Sequence, residues 1–128
     1  MNIAIAVDFF GTVQKLLSPS GSGVKRIEEI YGNQLPLEVH ILLSLADAFW
    51  DSTKGEAIRV LDVEEVVNAS EELHVDFVKK RLVPLMDLFD NNFLVFVIAK
   101  NKYSIMNIND ESLFEDYESI YNFLISQK

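Results

Sequence analysis

His40 and His74 are the only imidazoles in a chain of 128 residues that has no cysteine. Thiolate catalysis, thiolate metal sites and a disulfide scaffold are therefore excluded together. His40 and Ser44 are one helical turn apart, a spacing that lets a base and a nucleophile share a helix face. A triad also needs an orienting acid in contact, and the residues around this pair are apolar, so a structural or partly exposed His40 is the favoured reading. His74 stands among Glu71, Glu72 and Asp76, which supply oxygen donors for a metal. Two histidines without cysteine make weak metal spacing, and a solvated acidic face is favoured there. The five glycines form neither GxGxxG nor a P-loop, so no nucleotide site is signalled and no cofactor is expected.

Carboxylates are the abundant reactive groups, and the formal net charge is −9. They gather in two stretches. One holds Asp62, Glu64, Glu65, Glu71, Glu72 and Asp76. The other holds Asp110, Glu111, Glu115, Asp116 and Glu118. A balance this acidic argues against nucleic acid or an anionic membrane surface as partner, since both require cationic patches. Each stretch reads first as a solvated face. They are also the residues available to a basic protein partner. The second stretch is preferred, because it is expected to flank a hairpin end and a helix start.

The elements that must position these groups follow from apolar spacing. Hydrophobic residues make up 49% of the chain and Phe occurs nine times, enough for one core in one domain spanning 1–128. Val7, Phe10, Val13, Leu16 and Leu17 predict a first helix within residues 3–17. A Ser/Gly/Pro connector, 18–23, follows. Ser22 can cap a helix with Val24, Ile27, Ile30 and Tyr31 on its inner face, stopped by Gly32. Pro36 suits the first turn of a further helix. There Leu37, Ile41, Leu45 and Ala48 share a face that Leu42, Leu43 and Ala46 widen. Trp50 is read as a cap on the core in preference to an exposed anchor. Residues 51–55 form a loop, 57–61 a short strand, and 63–73 an acidic helix or turn with Val63, Val66, Val67 and Leu73 inward.

Residues 77–82 are ambiguous between helix and strand. Residues 83–89 read as a strand entered through Pro84, which suits a strand start or an edge. Residues 93–99 carry no polar side chain and predict a central strand covered on both faces. Residues 103–108 alternate, so hairpins are expected around Asn91 and Asn101. A last helix is expected to carry Phe114, Tyr117, Ile120, Tyr121 and Leu124 on one stripe, with Ser112 and Glu115 at capping-box spacing or with its start near Ser119. No sequence repeat is present. The fold class expected is α+β: an antiparallel β-meander packed with N-terminal helices and a C-terminal helix. The longest apolar run, 93–99, is too short to span a bilayer. No basic residue precedes Lys15, unlike a secretory signal. Cytoplasm is the expected compartment.

Two resemblances bear on function. The stretch Ile5 to Val13, which contains Asp8-Phe9-Phe10-Gly11-Thr12, resembles the first motif of haloacid-dehalogenase-type phosphatases. That resemblance implies Asp8 as a nucleophile. Phe10 stands where the acid/base carboxylate would be, the chain is short for that family's core, and no late acidic pair follows for Mg²⁺. A helix with Asp8 on its wet face is preferred. The second is an ordered set: Ile27, Glu28 and Glu29, Gly32, Leu35-Pro36, Leu42-Leu43, then Asp90-Asn91-Asn92 before the 93–99 run, and Ser119 to Leu124. It resembles the SUKH superfamily, the SMI1/KNR4-like proteins, over roughly residues 24–125. Ala46 to Trp50 replaces the Asn-Gly-type turn usual in that family. The resemblance implies the α+β layout above and an immunity protein without catalytic residues. Such a protein binds a cognate polymorphic or contact-dependent toxin domain, basic and often a nuclease. A scaffold domain is the alternative reading, and a small hydrolase using Asp8 ranks below both.

Overall fold

A computed structural model of the protein describes residues 22–44, 59–88 and 90–126. In helix α1 (Ser22–Tyr31), Val24, Ile27 and Tyr31 form the buried arc. Ile30, expected to face inward, is exposed. At 3.6 residues per turn it falls about 90° from the centre of that arc. The helix closes with a Schellman turn. Gly32 takes φ +66, and the Asn33 N–H donates to the Glu28 carbonyl at 3.1 Å. A Cβ on Gly32 would meet nothing within 4 Å. Gly32→Ala therefore carries only the left-handed backbone cost, about 1 kcal/mol, measurable as a shift of the urea midpoint at constant m. A stability loss several times larger would show that the turn makes contacts a methyl disturbs.

Helix α2 (Leu37–Ser44) starts after Pro36, whose carbonyl accepts from the Val39 and His40 N–H groups. Its residues Val39, Ile41, Leu42 and Leu43 are all buried. Leu37, expected on the inner stripe, is exposed at the first position of the helix. Leu45, Ala46 and Ala48 lie outside the described residues, as do the expected helix within 3–17, the 18–21 part of the connector, Trp50 and the 51–55 loop.

The sheet has five strands in sequence order, every neighbouring pair antiparallel. They are β1 (Arg59–Val60), β2 (Leu82–Asp87), β3 (Asn92–Val97), β4 (Lys102–Asn107) and β5 (Ser112–Tyr117). The expected central strand is β3, flanked by β2 and β4, with Phe93 to Val97 all buried. It stops short of the expected 93–99, because Ile98 and Ala99 pass into the next turn, where Ala99 is exposed. Pro84 sits inside β2, opposite Val95, where the register slips before Met86. A bulge tolerates a residue without an N–H, and β1 pairs only with Met86 and Asp87.

The four long strands begin at residues 82, 92, 102 and 112, a spacing of ten. A residue in left-handed conformation precedes each: Arg81, Asn91, Asn101 and Glu111, with φ 59, 65, 54 and 60. The period lies in the backbone and not in residue identities, which is why no sequence repeat accompanies it. Between β1 and β2 come α3 (Val63–Leu73) and the short α4 (Phe77–Lys80), which settles the ambiguous 77–82 stretch. Asp62 and Glu65 form a capping box at the start of α3.

The last helix is α5 (Ile120–Ser126), and residues 112–117 are strand, not the start of that helix. Ser112 and Glu115 make no capping box. Ser119 caps instead, its Oγ accepting from the Asn122 N–H at 3.0 Å. The helical stripe of Phe114, Tyr117 and Ile120 mimicked a helix, but Tyr117 reaches α5 from the strand, its ring edge-on to Phe123 at 5.2 Å. The buried residues of helices and sheet form one core among the described residues.

Candidate functional site

The β4–β5 hairpin and the edge strand β5 gather all five carboxylates of the second acidic stretch. Asp110 and Glu111 lie in the hairpin turn, at the hairpin end expected, and Glu118 stands two residues before α5, whereas Glu115 and Asp116 lie in an edge strand and not at a helix start. The turn is built by short polar side chains bonding their own backbone. Asn107 Oδ1 accepts from the Asn109 N–H at 2.9 Å, and Asp110 Oδ1 accepts from the Ser112 N–H at 3.0 Å and its hydroxyl at 2.7 Å. Those Ser112 hydrogen bonds hold the Asp110 carboxyl below the usual carboxylate range. Glu115 is left-handed (φ 59) and is the extra residue of a bulge between the Ile105–Phe114 and Ser104–Asp116 pairs.

Leu113 and Phe114 stand exposed in the middle of these carboxylates, at 39% and 42%. Sequence reasoning placed Phe114 on a buried stripe and passed over Leu113. The signal that finds them is the third turn, Asn109-Asp110-Glu111, ten residues after the second. Three of the five acids face lysines. Lys80 Nζ is 2.8 Å from Glu111, Lys102 Nζ is 3.1 Å from Glu118, and Lys100 Nζ is 4.0 Å from Asp116. The buried Ser104 hydroxyl also donates to Asp116. These exposed pairs contribute little to stability, about 0–1 kcal/mol each. They do reduce the negative field, which leaves Asp110 and Glu115 as the acids of this stretch without a lysine partner among the described residues.

The first stretch does not form a single patch. Glu64 and Glu65 stand at the start of α3 and Glu71 and Glu72 near its end, about 10 Å along the axis at 1.5 Å per residue. Glu64 pairs with Arg26, and Glu65 is engaged with Asp62 at the helix N-terminus. Asp76 caps α4 through the Lys79 N–H at 3.1 Å. Glu71 and Glu72 are exposed. His74 is the exposed left-handed C-cap of α3 (φ 58). Among the described residues no three His, Asp or Glu side chains are grouped to hold a metal ion.

His40 turns to Glu28, its Nε2 3.0 Å from Glu28 Oε2, and the same oxygen accepts from the Leu35 N–H at 2.7 Å. The pair ties the α1–α2 turn. Burial pushes the Glu28 carboxyl up, but the hydrogen bonds from Leu35 and His40 and nearby positive charge outweigh it and lower the net value. Glu38 has a different surrounding. Its Oε1 accepts from the Ile120 N–H at 2.8 Å, and it faces the buried Tyr103 hydroxyl, which completes no well-formed hydrogen bond. Burial raises the Glu38 carboxyl despite the opposing Ile120 N–H and Tyr103 hydroxyl. Burial and the Glu38 charge raise the Tyr103 phenol far above its usual range.

A carboxyl raised on folding holds its proton longer in the folded than in the unfolded chain. Its contribution is therefore lost as pH rises from the ordinary carboxylate range through the folded value. Glu38→Gln keeps an acceptor for Ile120 and should remove that decline, read by urea unfolding from about pH 4 to 7. Equal slopes in both proteins would refute it. Glu28, lowered on folding, acts oppositely: its contribution is present above the unfolded value and lost as pH falls through the folded one.

Asp8, the nucleophile the dehalogenase resemblance implies, lies outside the described residues. No helix among the described residues is long and apolar enough to cross a membrane. No family model, curated protein or solved structure matches the chain.

Proposed function

We propose that this protein is a toxin-neutralising immunity protein, which binds a basic toxin domain stoichiometrically in the cytoplasm and masks its substrate-binding cleft without turnover. The observation that carries the reading is the β5 surface. It sets one exposed apolar side chain on each face of the edge strand, Leu113 and Phe114, with Asp110, Glu111, Glu115, Asp116 and Glu118 along the same edge and its two ends. Apolar anchors within a charged rim are the composition of protein-recognition surfaces, and the rim speeds capture of an oppositely charged partner. The SUKH resemblance supplies the class of partner. Several residues that carry it act together here: Gly32 turns the chain, and the Glu28 carboxylate holds the Leu35 N–H just before Pro36.

The test is coexpression with the variable C-terminal domain of the product of a large neighbouring open reading frame. The expected result is rescue of growth and a one-to-one complex that survives gel filtration. Failure of both rescue and complex formation would overturn the reading.

A further inference from the structure

We propose that β5 binds its partner by strand addition, accepting a short, extended, basic segment along its open edge; the inference rests on the masking function above and names how the partner is held. β5 pairs with β4 on one side and, among the described residues, with no other strand. An antiparallel edge strand turns the N–H and C=O of alternate residues outward, where they can template another strand. Five of its six residues are exposed. The strand carries no Pro or Lys, two residues that usually blunt an edge. Its guard is of another kind. The Glu115 bulge limits the regular edge to Ser112–Phe114, and carboxylates line the remainder.

That guard selects among occupants. A second copy adding antiparallel about Leu113 would bring Glu115 and Asp116 against the Glu111 and Asp110 of its twin, and like charges across a strand pair destabilise it. A cationic strand meets the same surface with the opposite sign. Leu113 and Phe114 point to opposite sheet faces by alternation, so a strand laid beside them finds an apolar anchor on each side. Lysines or arginines beyond the three-residue contact would then reach Asp110 at one end and Glu115 at the other.

The probes are an eight-residue alternating Lys–Val peptide, the same peptide with its two central valines replaced by proline, and octalysine. The Lys–Val peptide should bind about tenfold tighter than the proline peptide, the equivalent of one or two backbone hydrogen bonds. It should also slow amide exchange within Ser112–Phe114. Leu113→Lys and Glu115→Lys, both at exposed positions, should each abolish that protection while the protein stays folded. Three outcomes would overturn strand addition: equal binding of all three peptides, no binding of any, or a dimer in sedimentation that Glu115→Lys dissociates. None of them touches the masking function, which stands or falls on rescue by coexpression.

Discussion

Phe96→Ala lowers the free energy of unfolding by about 3–5 kcal/mol. Phe96 is 2% exposed in the central strand, opposite Val83 on one side and Tyr103 on the other. Its ring lies 5.1 Å from that of Tyr103. Truncation removes that contact and leaves a cavity between strands laddered on both sides, where relaxation is limited. Domains of this size have total stabilities of about 5–15 kcal/mol, so a large share of the total would be lost. Val95→Ala, which removes fewer atoms at a fully buried site, should cost about 2 kcal/mol. Urea unfolding with unchanged m is the measurement. A loss below about 1 kcal/mol for Phe96→Ala would mean that β3 is not enclosed on both faces.

Reversing Asp110 and Glu115 to Lys should slow association with a basic toxin domain by about tenfold or more at low salt, with a smaller difference at physiological ionic strength. Among the described residues these two lack the lysine partners that partly neutralise Glu111, Asp116 and Glu118. Reversing Glu71 and Glu72 should have the smaller effect, because α3 offers no exposed apolar anchor comparable to Leu113 and Phe114. Phe114→Ala should instead raise the dissociation rate, since it removes contact area and leaves the field unchanged. Stopped-flow association against salt separates the outcomes. An on-rate indifferent to salt and to both reversals would remove electrostatic capture from the mechanism.

The sequence was most legible where one signal acted alone. The unbroken apolar run of 93–99 marked the central strand, though not its end at Val97, and Gly32 with Pro36 marked the stop and start of two helices. It misled where two periods competed. Phe114, Tyr117, Ile120 and Leu124 fall at helical intervals, yet the turn chemistry of Asn109-Asp110-Glu111 decides the local structure and makes 112–117 a strand. The acidic stretches were visible as composition, but pairing was not. Nothing local ties Lys80 to Glu111 or Arg26 to Glu64, because each contact depends on how distant elements pack. The roles of Glu28 and Glu38 were hidden for the same reason.

The ten-residue spacing of the sheet has a kinetic consequence. From β2 to β5, each strand finds its partner across a turn of four residues, so each ladder closes over a short loop with a small entropic barrier. Sheets usually fold slowly because their contacts are distant along the chain. Here the distance is short at every step, and one hairpin, once formed, offers an edge to the next. The sheet can therefore grow outward from any of its turns. The slow step passes to the pairing of β1 with β2, which must wait for α3 and α4 to fold back between them.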